Sequence, residues 1–408
     1  MAKAQSPGLG KSILIGGAAL VVAGLSLSAA MANVAQADRA LLVANLFPAN
    51  GFAKAEAAED LSILLLAPES GVDDPRVEDT ARSFALEALV HEPLAQTALR
   101  TLALLDMRND EANRPQAREL MRESARVSRR DRATMLWLVE DYGRLGETEP
   151  ALEKLDLALR RGGVSESYLL PILAQSLAQP GSAEIVDRML AKRPPWADEF
   201  WLAVAKVPEV LPVAAELRQK VARRGIEVPQ ETDAALLSGL VRQGAMEEAA
   251  QLRTVLPGAG SEGLVRNASF EKQPLYPPFD WQLTNTGDYG GEILQRQNAL
   301  LLNALPDAGG TVARQLVALE GGSYRMSVKA PQPAQDATAA EATLACASGR
   351  NSTDILVRLQ LDAQEVAEPF VVDGSSCPYQ WLEMRIFVEP GGIASDVLID
   401  EVSIQKVD

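Results

Sequence analysis

The chain has 408 residues and a mass of 43.7 kDa, which is long for one compact core and predicts two or three structural units. Its 39 basic and 55 acidic residues give a net charge of −16, which argues against nucleic acid as a partner because neutralising phosphates requires a basic face. A single histidine, His91, and two cysteines exclude metal sites built from His or Cys clusters and any mechanism that needs two histidines.

The N-terminal segment is long, apolar and uncharged. Between Lys11 and Asp38 lie 26 residues without a charge, and roughly 20 apolar residues are enough for a helix to span a membrane. We therefore expect residues 1–37 to form a cytoplasmic tip and a single transmembrane anchor, with residues 12–33 in the inner membrane and the bulk of the chain in the periplasm. A cleaved signal peptide is the alternative, since Ala35-Gln36-Ala37 fits a small-x-small cleavage site. Whether this segment is an anchor or a cleaved signal peptide, we expect the rest of the chain to be exported.

The two cysteines fit an oxidising compartment. Cys346 and Cys377 are 31 residues apart in a stretch with the alternation of β-strands. We expect them to form one disulfide bridge. Two separate buried thiols, which pack like small hydrophobic side chains, are the alternative.

Residues 38–258 predict an α-helical repeat domain. The segment is rich in Ala, Leu, Glu and Arg, its apolar residues have helical spacing, and Pro or Gly interrupts it at short intervals. The clearest unit spans residues 134–163, where Gly146 separates two helices and Ala151 follows five residues later. The same offset recurs at Gly244 and Ala249, 98 residues further on, which is close to three repeats of about 34 residues.

This unit resembles the tetratricopeptide repeat (TPR). Trp137, Tyr142, Ala151 and Ala158 match that pattern in residue type, whereas its Leu-Gly pair is missing. The resemblance implies a solenoid of stacked helical hairpins that binds protein partners along one face and carries no catalytic site.

Five arginines recur every fourth residue in one predicted helix: Arg114, Arg118, Arg122, Arg126 and Arg130. At 3.6 residues per turn they form a basic stripe, which predicts binding of an anionic partner such as a uronic-acid polymer or lipid headgroups. The alternative is an ordinary solvated face, on which Glu119 and Glu123 stand at pairing distance.

Residues 259–408 predict an antiparallel β-sandwich. Runs such as Tyr324–Ala330, Ile355–Leu361 and Leu382–Val388 alternate or stay apolar over strand length, and Gly, Pro, Asn and Asp turns separate them. Together with the preceding segments, this gives a multidomain α + β chain with an N-terminal transmembrane helix, a helical solenoid and a C-terminal sandwich.

The sandwich resembles the jelly-roll carbohydrate-binding modules and galactose-binding-like domains. The resemblance is based on three motifs: the opening Asn267-Ala-Ser-Phe-Glu271, the Gly322-Ser-Tyr324 strand and the closing Ile399-Asp-Glu-Val402 strand. The resemblance implies a structural calcium bound by Glu271 and Asp400, since hard oxygen ligands suit this ion. Glu401 stands where the family often has Asp, and an ordinary pair of surface carboxylates is the alternative.

Sugar recognition in such domains uses aromatic faces with polar residues around them. The candidates are Tyr276, Tyr289, Tyr379 and Trp381. We expect Tyr276 and Tyr289, in Pro- and Gly-rich loops, to be exposed, and Trp281 to point inward with Phe279 and Leu283. The alternative for each candidate is a place in the sandwich core.

With Ser128–Asp131 and Trp137–Val139 in its repeats and Pro278–Trp281 after the opening motif of its sandwich, the chain resembles alphaproteobacterial proteins that accompany exopolysaccharide synthesis and export. We therefore expect a non-enzymatic, membrane-anchored periplasmic scaffold, with protein partners on its repeats and a polysaccharide on its sandwich. The charge of the sandwich favours a neutral glycan there and an acidic one at the arginine stripe. The alternatives are a purely structural assembly protein with a non-binding sandwich and, less favoured, a carboxylate-dependent glycosidase or lyase.

Overall fold

The computed structural model describes residues 39–160, 166–258, 263–335, 337–347 and 354–407. These residues fall into two compact units, the first holding residues 39–160 and the second residues 166–407. Helices come first and antiparallel strands follow, as the α + β prediction expected. The predicted boundary near residue 258 separates the last described helix from the strands inside the second unit, and as a domain boundary it stays a prediction.

The first unit is helical. Its helices are α1 (Ala40–Leu46), α2 (Gly51–Leu66), α3 (Pro75–His91), α4 (Gln96–Asn109), α5 (Arg114–Val127), α6 (Arg132–Leu145) and α7 (Thr148–Leu159). Local signals set their starts: the Asn50 side chain accepts a hydrogen bond from the Ala53 amide, and the Asp74 side chain caps α3 at the Arg76 amide. Helix α2 packs against α3, α4 against α5, and α6 against α7.

Small side chains allow these helices to approach closely. Ala55, Ala58, Ala85, Ala88 and Ala98 form one buried cluster between α2, α3 and α4. Close approach buries helix surface without large side chains. The alanine-rich composition of this region is therefore a packing requirement.

The predicted helical hairpins are present. Helices α6 and α7 turn at Gly146, whose φ of 73° is left-handed and suits glycine. Gly244, with φ of 82°, makes the equivalent turn 98 residues later. The helical character is thus confirmed, whereas membership of the TPR class stays a prediction.

The second unit opens with six further helices: α8 (Glu166–Ser176), α9 (Ser182–Leu190), α10 (Ala197–Val204), α11 (Leu211–Arg223), α12 (Gln230–Arg242) and α13 (Met246–Val255). A buried ion pair joins α11 to α12, with Arg218 Nε 2.7 Å and Nη2 2.9 Å from the two carboxylate oxygens of Asp233. This bidentate geometry offsets part of the cost of burying both charges, and burial still raises the pKa of Asp233.

Eleven strands follow in the described residues: β1 (Gln282–Leu283), β2 (Tyr289–Leu294), β3 (Ala299–Ala304), β4 (Gly309–Val317), β5 (Gly322–Lys329), β6 (Thr338–Cys346), β7 (Ile355–Gln360), β8 (Glu365–Val372), β9 (Gln380–Val388), β10 (Ser395–Ile399) and β11 (Glu401–Lys406). They form a five-stranded sheet in the order β1-β4-β9-β6-β7 and two three-stranded sheets, β10-β3-β2 and β11-β5-β8. Every pairing between named strands is antiparallel.

One apolar core unites the three sheets. Leu300 of β3, Met326 of β5, Leu344 of β6, Met384 of β9 and Val402 of β11 all belong to it. The sandwich prediction is thereby confirmed at the level of an antiparallel β-sandwich.

The disulfide prediction is confirmed. Cys346 ends β6, Cys377 lies in the loop before β9, and their sulfur atoms are bonded. The bridge holds this loop against the end of β6, next to the start of β9.

The prediction of a single-pass inner-membrane protein requires correction. No helix of the described ranges is long and apolar enough to cross a membrane. Helices α2 and α3 have 16 and 17 residues, short of the roughly 20 apolar residues that a span requires. The predicted anchor, residues 12–33, and the alternative cleavage site, Ala35–Ala37, lie outside the described residues.

Candidate functional site

The outer face of the five-stranded sheet carries the candidate site. Burial alternates along β9, so that Leu382, Met384 and Ile386 enter the core while the residues between them point away from it. The outward set is Trp381, Glu383, Arg385 and Phe387. The distance from Trp381 to Phe387 along the strand is about 20 Å at 3.3–3.4 Å per residue.

A pocket of about 710 Å³ lies at the Trp381 end of this face. We call it the tryptophan pocket and define it by six of the residues that line it: Lys206, Arg242, Met246, Gln282, Arg314 and Trp381. Its volume is in the range of small-molecule binding sites.

Two side chains form the sheet wall of the tryptophan pocket. The Arg314 guanidinium lies 4.6 Å from the ring centroid of Trp381. Arg314 Nε donates a hydrogen bond of 2.8 Å to Oε1 of Gln282 on the neighbouring strand. The stacking and the hydrogen bond fix the guanidinium, which keeps further N–H donors for a ligand.

Helices α10, α12 and α13 supply the opposite wall. Ser238 Oγ donates a hydrogen bond of 3.1 Å to the carbonyl of Pro277, and Gln230 Nε2 donates one of 3.1 Å to the carbonyl of Leu275. The Arg253 guanidinium packs 4.6 Å from the ring centroid of Tyr276. These contacts hold the helices against the loop that precedes β1. The tryptophan pocket therefore has one wall made by the sheet and one made by helices.

A second, smaller pocket of about 300 Å³ lies at the other end of the face. We call it the phenylalanine pocket; it is lined by Phe387, Arg385, Glu341, Gln360 and Gly310. In the strand register, Trp381 is paired with Ala345, and Phe387 with Ala339, each one pair inside an end of the β6–β9 ladder.

The middle of the face is polar. Glu383 Oε2 accepts a hydrogen bond of 3.3 Å from Thr311, and Glu341 is 3.4 Å from Arg385 and 3.5 Å from Arg358. These carboxylates are therefore occupied by partners on the sheet.

The four predicted aromatic candidates have different environments. Trp381 is half-buried and lines the tryptophan pocket. Tyr379 donates a hydrogen bond of 2.8 Å to Glu247 of α13, and partial burial together with this bond raises the pKa of its phenol. The ring of Tyr289 lies over Gly310, and a Cβ atom at position 310 would come within 2.8 Å of that ring. Tyr276 is 5% exposed, so the expectation that it is exposed is wrong: Arg253 and the chain around it cover its ring.

The predicted opening motif packs onto the sandwich core through Phe270, which is buried. Trp281 is buried, as expected, and its indole N–H donates a hydrogen bond of 3.2 Å to the Asn267 carbonyl. Val402 of β11 donates its amide to the Ala268 carbonyl at 2.9 Å, which joins the opening segment to the closing strand.

The two predicted calcium ligands, Glu271 and Asp400, are both exposed. In the part of the chain that the structure describes, no three acidic, His or Cys side chains are grouped as a metal site would need. The calcium ion stays a prediction from the family resemblance.

The arginine stripe is largely used within its own unit. Arg114 Nε is 2.7 Å from Asp141 of α6, and Arg118 forms an ion pair with the same buried carboxylate. Arg122 donates a hydrogen bond of 3.1 Å to the Tyr142 hydroxyl, and Arg126 pairs with Glu123. Arg130 lies in the turn beyond the end of α5.

Sequence reasoning missed Lys206, Arg242, Gln282 and Arg314. Their positions span more than a hundred residues, and no local motif joins them. The alternation of β9 was the available signal, because it places Trp381 on the face opposite Leu382.

No protein-family model matches the chain, and no curated protein matches it. Among solved structures, one described as "CBM4 structure and function" shares 13% identity, with a TM-score of 0.26, over 35% of this chain and 99% of that one. A second, TmCBM61 in complex with β-1,4-galactotriose, shares 12% identity, with a TM-score of 0.25, over 36% of this chain and 100% of that one. Both are carbohydrate-binding modules, but values this low give no ground for transferring a ligand.

Proposed function

We propose that the second unit binds a glycan along the outer face of its five-stranded sheet, with the tryptophan pocket as the main point of attachment. The observation that carries the proposal is the Trp381–Arg314 pair, which lines a pocket of about 710 Å³ at one end of an otherwise polar face.

The chemistry of the pocket suits a saccharide. A sugar ring combines apolar C–H surface with hydroxyl groups that both donate and accept hydrogen bonds. Trp381 and Met246 supply apolar surface, while Gln282 and Arg314 supply hydrogen-bonding groups in the same wall.

The length of the face favours a chain over a single sugar. About 20 Å separates the two pockets along β9, and the polar residues between them are within reach of hydroxyl groups. An open, shallow face of this kind binds weakly, and we expect dissociation constants of millimolar to micromolar order.

Binding without cleavage is the role that fits this face. Glycoside hydrolysis requires two carboxyl groups free to act as acid and as base or nucleophile. Glu341 and Glu383 are both bound to neighbouring side chains, and Asp280 accepts hydrogen bonds from the amides of Leu275 and Tyr276 at 2.9 and 2.8 Å.

The predictions about the helices and about the cellular role are separate from the glycan proposal. Assignment to the TPR class, protein partners on the helices, and a role in exopolysaccharide assembly or export all stay predictions. Nothing in the glycan proposal depends on them.

Affinity electrophoresis of the full chain in gels that contain neutral or acidic polysaccharides tests the proposal. The wild-type protein is expected to be retarded, and Trp381→Ala to weaken the retardation about tenfold or more, because buried aromatic contacts dominate binding energies. Tyr168→Ala is the matched control, since Tyr168 is an aromatic residue that is 72% exposed and lies outside both pockets. Retardation that is equal in wild type and Trp381→Ala refutes the proposal.

A further inference from the structure

The tryptophan pocket differs in charge from the chain that surrounds it. The chain has a net charge of −16, and residues 259–408 have ten basic against twenty acidic residues. The pocket is nevertheless lined by Lys206, Arg242 and Arg314, and none of its described lining residues is Asp or Glu. Three positive charges are thus concentrated in one concavity of an acidic protein.

None of these three charges is neutralised within the described part of the chain. Arg314 contacts Gln282 and the Trp381 ring, and both partners are uncharged. The side chains of Lys206 and Arg242 are exposed, and neither forms an ion pair or a hydrogen bond with another described residue. By contrast, the arginines of α5 pair with Asp141 and Glu123, and Arg218 pairs with Asp233.

Helix ends account for only part of this arrangement. Arg242 is in the last turn of α12 and Lys206 follows α10, where a positive charge complements the helix dipole. Arg314 is on a strand, and the dipoles do not explain why all three cations line the same pocket as an aromatic ring.

We infer that the tryptophan pocket selects an acidic saccharide, one that carries carboxylate groups on its sugar rings; this inference rests on the proposed glycan-binding function. A guanidinium binds a planar carboxylate with two parallel hydrogen bonds, and two such groups with an ammonium group give the pocket a strong preference for negative charge. The apolar surface of Trp381 and Met246 beside the cations favours a sugar acid over a small inorganic anion, which has no C–H surface.

The charge arrangement favours a different assignment of glycans from the one expected from composition. The acidic sandwich predicted a neutral glycan there and an acidic one on the arginine stripe. Three cations without a carboxylate partner, Lys206, Arg242 and Arg314, instead line the tryptophan pocket. Long-range repulsion from the rest of the chain slows the approach of an acidic polymer, and salt screens both this repulsion and the local attraction.

The test compares charged and neutral forms of one backbone on the full chain. Titrations with oligogalacturonate and with its methyl-esterified, neutral form are accompanied by gels containing alginate, hyaluronan, dextran and hydroxyethyl cellulose. We expect the acidic ligands to bind at least tenfold more tightly, and the variants Lys206→Gln and Arg242→Gln each to weaken acidic binding about 5- to 20-fold. Neutral glycans are expected to lose less affinity than acidic ones in both variants, because each substitution removes a charge from the pocket wall and keeps a hydrogen-bonding side chain.

The matched control is Arg296→Gln. Arg296 is exposed in the turn between β2 and β3 and lines neither pocket, so this variant makes the same charge change elsewhere. It is expected to bind like the wild type, and thermal unfolding checks that every variant folds.

The outcomes separate the inference from the proposed function. Equal binding of both oligogalacturonate forms, or acidic binding unaffected by Lys206→Gln and Arg242→Gln, overturns the inference and leaves glycan binding standing. Complete displacement of acidic ligands by millimolar inorganic phosphate also overturns it, because the pocket is then a simple anion site. Absence of binding to every glycan overturns both.

Discussion

Asp141 holds the first two arginines of the stripe, Arg114 and Arg118, and its replacement gives a quantitative prediction. Its buried carboxylate accepts hydrogen bonds from Arg114 Nε at 2.7 Å and from Arg118 Nη2 at 3.2 Å, with a further bond from Arg118 Nε. The variant Asp141→Asn keeps the shape of the side chain and one acceptor oxygen but removes the charge that both arginines share.

The magnitude follows from burial. Removing one member of a buried ion pair costs about 3–5 kcal/mol, because the remaining charge loses its compensation. The arginine side chains here retain 13% and 17% exposure, and Arg114 also contacts Glu111, so water and a second partner reduce the loss. We expect Asp141→Asn to lower the local free energy of unfolding by about 2 kcal/mol.

Hydrogen exchange measured by mass spectrometry isolates this effect from the rest of the chain. Peptides from α5 and α6 are expected to exchange about 30-fold faster in Asp141→Asn, while peptides from β4 and β9 stay unchanged. Glu140→Gln is the control, because the Glu140 carboxylate is 56% exposed and its ion pairs contribute under about 1 kcal/mol. A change below about twofold in Asp141→Asn would refute the reasoning.

The same carboxylate predicts a pH dependence. Burial opposes ionisation of Asp141, but the hydrogen bonds and charges of Arg118 and Arg114 outweigh it and lower its pKa from the ordinary value of an aspartate. A lowered pKa means that the stabilisation is complete above the unfolded-state pKa and is lost as the pH falls through the folded-state value. Protection of α5 and α6 should therefore fall below about pH 4 in the wild type, and less so in Asp141→Asn.

Two further predictions concern the second unit. Replacing both Cys346 and Cys377 with Ser is expected to lower the free energy of unfolding by about 3–4 kcal/mol, because the bridge closes a loop of 31 residues in the unfolded chain. Urea unfolding with and without reductant measures this loss. A wild-type protein whose unfolding does not respond to reductant contradicts the prediction. Tyr276→Ala is expected to cost about 3 kcal/mol, since it empties a buried position beneath Arg253. A Tyr276→Ala protein of normal stability that no longer binds glycan would instead return Tyr276 to the binding site.

Local sequence patterns predicted several elements of this fold. Helical spacing between Pro and Gly breaks predicted the hairpin around Gly146, and alternation predicted strand β9. The Cys346–Cys377 bridge was predictable because two cysteines allow one pairing. Each of these inferences depended on neighbouring residues and on rules with a fixed period.

The site was predictable only in part, because it depends on contacts between distant elements. Trp381 was identified as an aromatic candidate, but its partner Arg314 is 67 positions away and Lys206 is further still. Tyr276 has the flanking prolines of an exposed loop, and the helix that carries Arg253 covers it. The arginine stripe suggested a free basic face, since nothing near it in sequence reveals that Asp141 is its partner.

Hydroxyl-radical footprinting of the full chain, with and without a saturating acidic polysaccharide, tests the central claim most directly. Radicals oxidise Met and Trp side chains readily, so the method reports on Met246 and Trp381 in the same experiment. The account predicts that the glycan protects both residues, while Met107 of the first unit, which is also half-buried, keeps its oxidation rate. Retardation by the polysaccharide together with unchanged oxidation of Met246 and Trp381 would contradict the account.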